Sequence, residues 1–130
     1  MTFEPPPPWR IVVTDDDPHL MAFLVGTLRS AGHCIFAAYD GDAASELALL
    51  IPDLDLLVTN TRWGIRSNRE LIRLVRSRRP GLPILHIGDP MPNPEGLLDD
   101  VPTLQEPFTA DRLLETVRGL VTHQWGPRGA

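Results

Sequence analysis

An α/β fold, with a doubly wound parallel sheet of five strands, is predicted for this chain by two observations. Five short apolar runs with strand character alternate with helical patterns along the sequence: Ile11 to Thr14, Cys34 to Ala38, Leu56 to Thr59, Ile84 to Ile87 and a weaker run at Val101 to Gln105. The first run drives straight into Asp15, Asp16, Asp17 and Pro18, which marks a strand's carboxyl end followed at once by a helix start. Such alternation builds βαβ units, with helices on both faces of the sheet.

The elements follow in order. Asp17 is a good N-cap and Pro18 suits the first helical position, so a helix spans Pro18 to Ser30 and stops at Gly32. Leu20, Phe23, Leu24 and Leu28 are expected on its core face, with Met21, Ala22 and Val25 outward. Asp42 to Leu50 is a short Ala/Leu-rich helix. Ser67 opens the next with a capping box closed by Glu70, and Thr109 can cap the last, which runs to about Val121. The segment Gly88 to Asp100 breaks the rhythm. Pro90, Pro92 and Pro94 forbid a normal helix, which predicts an extended crossover with at most one turn near Glu95 to Leu98; the alternative is a short helix starting at Pro94.

A chain of 130 residues makes one domain with a real core. Residues 1–9 read as a Pro-rich arm, 10–122 as the domain and 123–130 as a tail. No run of about 18 apolar residues is present, so no membrane span is expected, and the start lacks the order of a secretory signal. The single Cys34 is expected in the core, and its inability to form an internal disulfide fits a cytoplasmic location. The net charge of −5 disfavours nucleic acid as a partner. All twelve basic residues are Arg, with no Lys, and seven of them lie between Arg62 and Arg79.

Asp15 and Asp16 end the first strand at the sheet edge where ligands of open α/β folds bind. They are either the seat of a hard divalent cation or solvated loop residues. Arg69, Arg73 and Arg76 form one stripe on the third helix, read either as a solvated face or as a site for an acidic partner.

From Arg10 to Val121 the chain resembles the receiver domain of bacterial two-component response regulators, in degenerate form. The resemblance is carried by Val13-Thr14-Asp15-Asp16-Asp17-Pro18-His19-Leu20, Pro52-Asp53-Leu54-Asp55-Leu56-Leu57, Arg79-Pro80-Gly81-Leu82-Pro83-Ile84 and Pro107-Phe108, all in register. It implies a flavodoxin-like sheet with strand order 2-1-3-4-5, here with the helix between the fourth and fifth strands shortened or absent. Receivers transfer a phosphoryl group from a histidine onto an aspartate at the end of the third strand, beside Mg²⁺ held by an acidic pair. That aspartate is Asn60 here, and a neutral amide does not form an acyl phosphate. The hydroxyl position of the fourth strand falls on Gly88, the aromatic switch position on Thr103 and the lysine position on Glu106. Loss of all four implies a pseudo-receiver with no catalytic residue and no turnover.

Asp15, Asp16 and Glu106 leave three formal negative charges around Asn60, which repel an incoming phosphoryl anion. Weak Mg²⁺ or Ca²⁺ binding by Asp15, Asp16 and the Asn60 oxygen is one expectation, and a water-filled acidic pocket the other. The remaining candidates for a different acceptor are Thr59, Thr61 and His86. Function is then expected in contacts. The first helix is apolar nearly all round and in this family docks a histidine kinase or phosphotransfer protein, so Met21, Ala22 and Val25 are candidate contact residues for such a partner or for a homodimer. The arm or the tail folding over that helix is the alternative. Trp63, just after Asn60, either caps the defunct pocket or makes contacts.

Overall fold

The computed structural model describes residues 8–60 and 65–124. Five strands, β1 (Arg10–Thr14), β2 (Cys34–Ala38), β3 (Leu56–Asn60), β4 (Ile84–Ile87) and β5 (Thr103–Leu104), alternate with four helices: α1 (Pro18–Ser30), α2 (Gly41–Leu50), α3 (Ile65–Arg78) and α4 (Ala110–Gln124). The strands form one sheet in the order β2-β1-β3-β4-β5, and every pair is parallel. The expected fold class and order are therefore present.

Strand alternation divides the core into two layers. Ile11, Val13, Val58, Leu85 and Ile87 pack on one face with Met21, Leu24 and Leu28 of α1 and Leu113, Val117 and Val121 of α4. On the other face, Val12, Leu57 and Ile84 pack with Ala44 and Ala48 of α2 and Leu71, Ile72 and Val75 of α3. β3 is buried throughout, as a central strand covered on both faces must be.

The caps match their residues. Asp17 Oδ1 accepts the amides of His19 (2.9 Å) and Leu20 (3.4 Å), with Pro18 opening α1. Gly32, at φ 95°, ends the helix in the conformation that a side chain resists, and the His33 amide returns to the Leu28 carbonyl. Asp40 caps α2 through the Ala43 amide at 2.7 Å. Thr109 caps α4 through the Arg112 amide at 3.1 Å.

Between β4 and β5 there is no helix: residues 94–100 are turns only, and Met91, Leu97, Leu98 and Val101 supply the apolar cover a helix would have given. The prolines keep the start of the crossover extended, and the short helix that Pro94 could have opened does not form.

Several expectations need correcting. Met21 is buried, 2% exposed, and cannot be a contact residue; Ala22 is exposed and Val25 half-buried. The core stripe of α1 is Met21, Leu24 and Leu28, one step from the expected phase, because apolar residues on every side leave the phase undefined. Phe23 turns outward instead and rests against Phe108, ring centroids 5.9 Å apart. Cys34 is exposed, since it starts an edge strand opposite Arg10 at the open end of the sheet. Trp9, assigned to the arm, is 4% exposed and stacks on His33 at 4.6 Å. α3 starts two residues before Ser67, so Ser67 lies within the helix and is not its cap; nothing in Ile65 and Arg66 resists helix, and a capping preference of about 1 kcal/mol does not fix a boundary. The remainder of the Pro-rich arm, Thr61, Trp63 and the end of the tail lie outside the described residues.

Candidate functional site at the carboxyl edge of the sheet

Parallel strands all end on one edge, so the loops after β1, β3, β4 and β5 gather there. The register Val13↔Val58, continued by two residues, sets Asn60 level with Asp15, and Asn60 pairs with Ile87, the residue before Gly88. Topology thus brings Asp15, Asp16, Asn60 and Gly88 to one edge, with Glu106 after β5.

The two acids differ in kind. Asp15 is fully buried and its Oδ1 accepts the Asp17 amide at 2.8 Å, so the carboxylate holds the turn into α1. Asp16 is exposed. Asn60 is 1% exposed. Among the described residues no three His, Cys, Asp or Glu side chains converge to hold a metal ion. Asp15 is partly committed to backbone, Asp16 faces solvent and Asn60 is neutral, so the donor set does not fit a tightly held Mg²⁺ or Ca²⁺.

Gly88 is buried at φ 123°, a conformation costly for any side chain, and its amide donates to the Leu104 carbonyl at 3.1 Å. A threonine or serine hydroxyl there would require a different loop. Glu106 is exposed and precedes a cis peptide to Pro107.

Thr59 and His86, the candidate alternative acceptors, point to the other face from Asn60. Thr59 is fully buried and its Oγ1 donates to Asn68 Oδ1 at 2.5 Å; the Asn68 amide in turn meets the Met91 sulfur at 3.4 Å. His86 is 1% exposed, and its Nδ1 lies 3.1 Å from Thr103 Oγ1. Burial pushes its imidazole down to about 4, against a smaller upward pull from Asp89. Neither side chain is open to a phosphodonor. Thr103, the expected switch position, is instead the hydrogen-bond partner of this histidine, as the register His86↔Thr103 requires.

The arginine stripe has partners within the chain that its spacing did not reveal. Arg69 and Arg73 reach Glu95, and Arg76 reaches Asp100, so the stripe meets acids of this same chain and fastens the crossover to α3. The signal lay in the sequence as four acids, Asp89, Glu95, Asp99 and Asp100, in the segment that crosses back after β4.

No family model and no curated protein matches the sequence. Solved structures do. A CheY-like receiver domain from Methanospirillum hungatei superposes with a TM-score of 0.79 at 17% identity, over 89% of this chain and 95% of that one. The chemotaxis protein CheY4 of Vibrio cholerae gives 0.75 at 22% identity, over 86% and 98%. NtrX from Brucella abortus, in complex with ADP, gives 0.75 at 23% identity, over 88% of this chain. The chain spans 26% of that NtrX chain. The class defined by sheet order and edge is the CheY-like α/β fold. The particular fold shared is that of response regulator receiver domains.

Proposed function

We propose that the chain is a receiver-type module of two-component signal transduction that works by binding, without accepting a phosphoryl group. The observation that carries this reading is Asn60, a buried neutral amide at the end of the central strand, where phosphoryl transfer needs an anionic nucleophile. Thr59 and His86 are buried and engaged on the opposite face, Gly88 offers no hydroxyl, and Glu106 puts a negative charge where a cation would steady the phosphoryl oxygens. The binding surface we assign is the outer side of α1, with Ala22 and Phe23 exposed and Phe108 beside them, and the partner a histidine kinase or phosphotransfer protein.

Intact-mass analysis after incubation with Mg²⁺ and acetyl phosphate tests the reading. The wild-type chain is expected to gain no phosphate, and Asn60→Asp run beside it reports whether the amide alone closes the site. A phosphate adduct on the wild type would overturn the proposal.

A divalent cation at Asp15 and Asp16 belongs to this proposal only as a weak ligand. Calorimetric titration with Mg²⁺ or Ca²⁺ is expected to give no binding tighter than about millimolar, since among the described residues no third anionic donor converges with the two carboxylates. Micromolar binding would refute this.

A further inference from the structure

Trp9 and His33 each precede a strand, β1 and β2, and meet at the amino edge of the sheet, the edge opposite Asn60. Their rings lie face to face, centroids 4.6 Å apart and 7° from parallel, and the Trp9 amide donates to His33 Nδ1 at 3.2 Å. One imidazole therefore holds both the indole and its backbone amide. The helix stop at Gly32 fixes that imidazole in place, with the His33 amide on the Leu28 carbonyl. The indole is 4% exposed and belongs to the core layer of α1 and α4, so this contact closes the layer at the amino edge. An imidazole accepts at Nδ1 only when it is neutral and carries its proton on Nε2. Once charged, it sets an N–H against the Trp9 N–H.

From this arrangement we infer that His33 is a proton-operated latch: the neutral ring holds Trp9 in the core, and protonation lets the indole swing out while the strands stay paired. Pairing survives because the Trp9 carbonyl is held separately by the Cys34 amide at 2.8 Å, and the Arg10 amide by Asp55 Oδ2 at 2.8 Å. A charged ring stacked on indole gains cation–π attraction, which opposes the lost acceptor and the burial of the charge. Burial prevails: it lowers the His33 pKa from its ordinary 6.5, against a smaller upward pull from Asp55. The remaining charged and titratable groups at this edge are engaged elsewhere or face water. Arg10 and Asp53 act on Asp55, Arg10 Nη1 donates to the Pro52 carbonyl, Arg29 Nη2 donates to the Ile35 carbonyl, and Cys34 is exposed.

The test follows the fluorescence of Trp9 in the full chain carrying Trp63→Phe and Trp125→Phe, which leaves it as the single tryptophan. Between about pH 7.5 and about pH 5, where histidines titrate, acrylamide quenching is expected to rise severalfold and the emission to move to longer wavelength, with a constant far-UV circular dichroism spectrum. This range stays above the region near pH 4 in which His86 charges. His33→Asn puts a side-chain oxygen that does not titrate in place of Nδ1, and both curves are expected to become flat. The inference is overturned if quenching and wavelength do not change with pH, including the case in which intensity alone falls because the charged ring stays stacked. It is equally overturned if the transition persists in His33→Asn, or if the circular dichroism spectrum changes along with it, which would mean that the whole fold and not the latch has opened.

Discussion

Acidification from pH 6.5 to 4 is expected to remove on the order of 3 kcal/mol of folding stability through His86 alone. The imidazole lies in the core, 1% exposed, with Nδ1 against Thr103 and no hydrogen-bond partner for Nε2 among the described residues. Burial penalises its charged form, so the folded chain takes up this proton only near pH 4, whereas the unfolded chain takes it up near 6.5. Between those values the unfolded state binds more protons, and stability falls as the pH falls. The contribution is therefore fully present above pH 6.5 and spent by about pH 4. His33 acts in the same direction: burial lowers its pKa, with a smaller opposing pull from Asp55, and its Nδ1 accepts the Trp9 amide at 3.2 Å, which only the unprotonated ring can do. Asp55 acts the other way at the acid end, because burial raises its pKa and protonation relieves it. Urea denaturation of the wild type and of His86→Leu from pH 7 to pH 4 checks the assignment. The variant keeps the apolar packing, Thr103 is exposed enough to turn to water, and the slope of stability against pH should flatten. Parallel slopes for the two proteins would place the sensitivity elsewhere.

That histidine shows what a sequence conveys and what it leaves out. The ends of strands and helices were legible because local chemistry sets them: Asp17-Pro18 starts α1, Gly32 stops it, Thr109 caps α4, and three prolines prevent a helix after β4. The carboxyl edge was legible for the same reason, since Asp15 and Asp16 follow β1, Asn60 ends β3 and Gly88 follows β4. Facing was harder. His86 and Thr59 sit one residue before those ends, and the period of two that turns them away from Asn60 is fixed only once the register Thr59↔His86↔Thr103 is known. Met21 was misplaced because α1 is apolar on all sides, so the sheet and not the helix chooses the stripe. Trp9 was misplaced because its prolines suggested an arm, while its ring finds a stacking partner twenty-four residues on in His33. The arginine stripe was visible as a period, but a period does not say what lies across from it.

Arg76→Ala is expected to cost about 2–3 kcal/mol, a drop in Tm on the order of 10 °C. Its side chain is only 15% exposed. Nη1 donates to the carbonyls of Pro80 at 3.0 Å and Leu82 at 2.7 Å, and Nη2 lies 3.0 Å from Asp100 Oδ2. One planar fork thus joins the end of α3, the turn into β4 and the end of the crossover, and truncation leaves the Leu82 carbonyl without that donor where water has little access. Arg76→Lys should recover little, because a single ammonium does not span two carbonyls and a carboxylate at once. Asp100→Asn separates the two halves of the effect. Asp100 is 68% exposed, so losing its charge should cost under about 1 kcal/mol while both carbonyl bonds persist. Thermal melts of the three variants decide between a carbonyl brace and an ion pair. If Asp100→Asn falls as far as Arg76→Ala, the ion pair dominates; a large loss confined to the arginine variants means that the carbonyl brace dominates and that Arg76 sets the geometry of the β4 entrance.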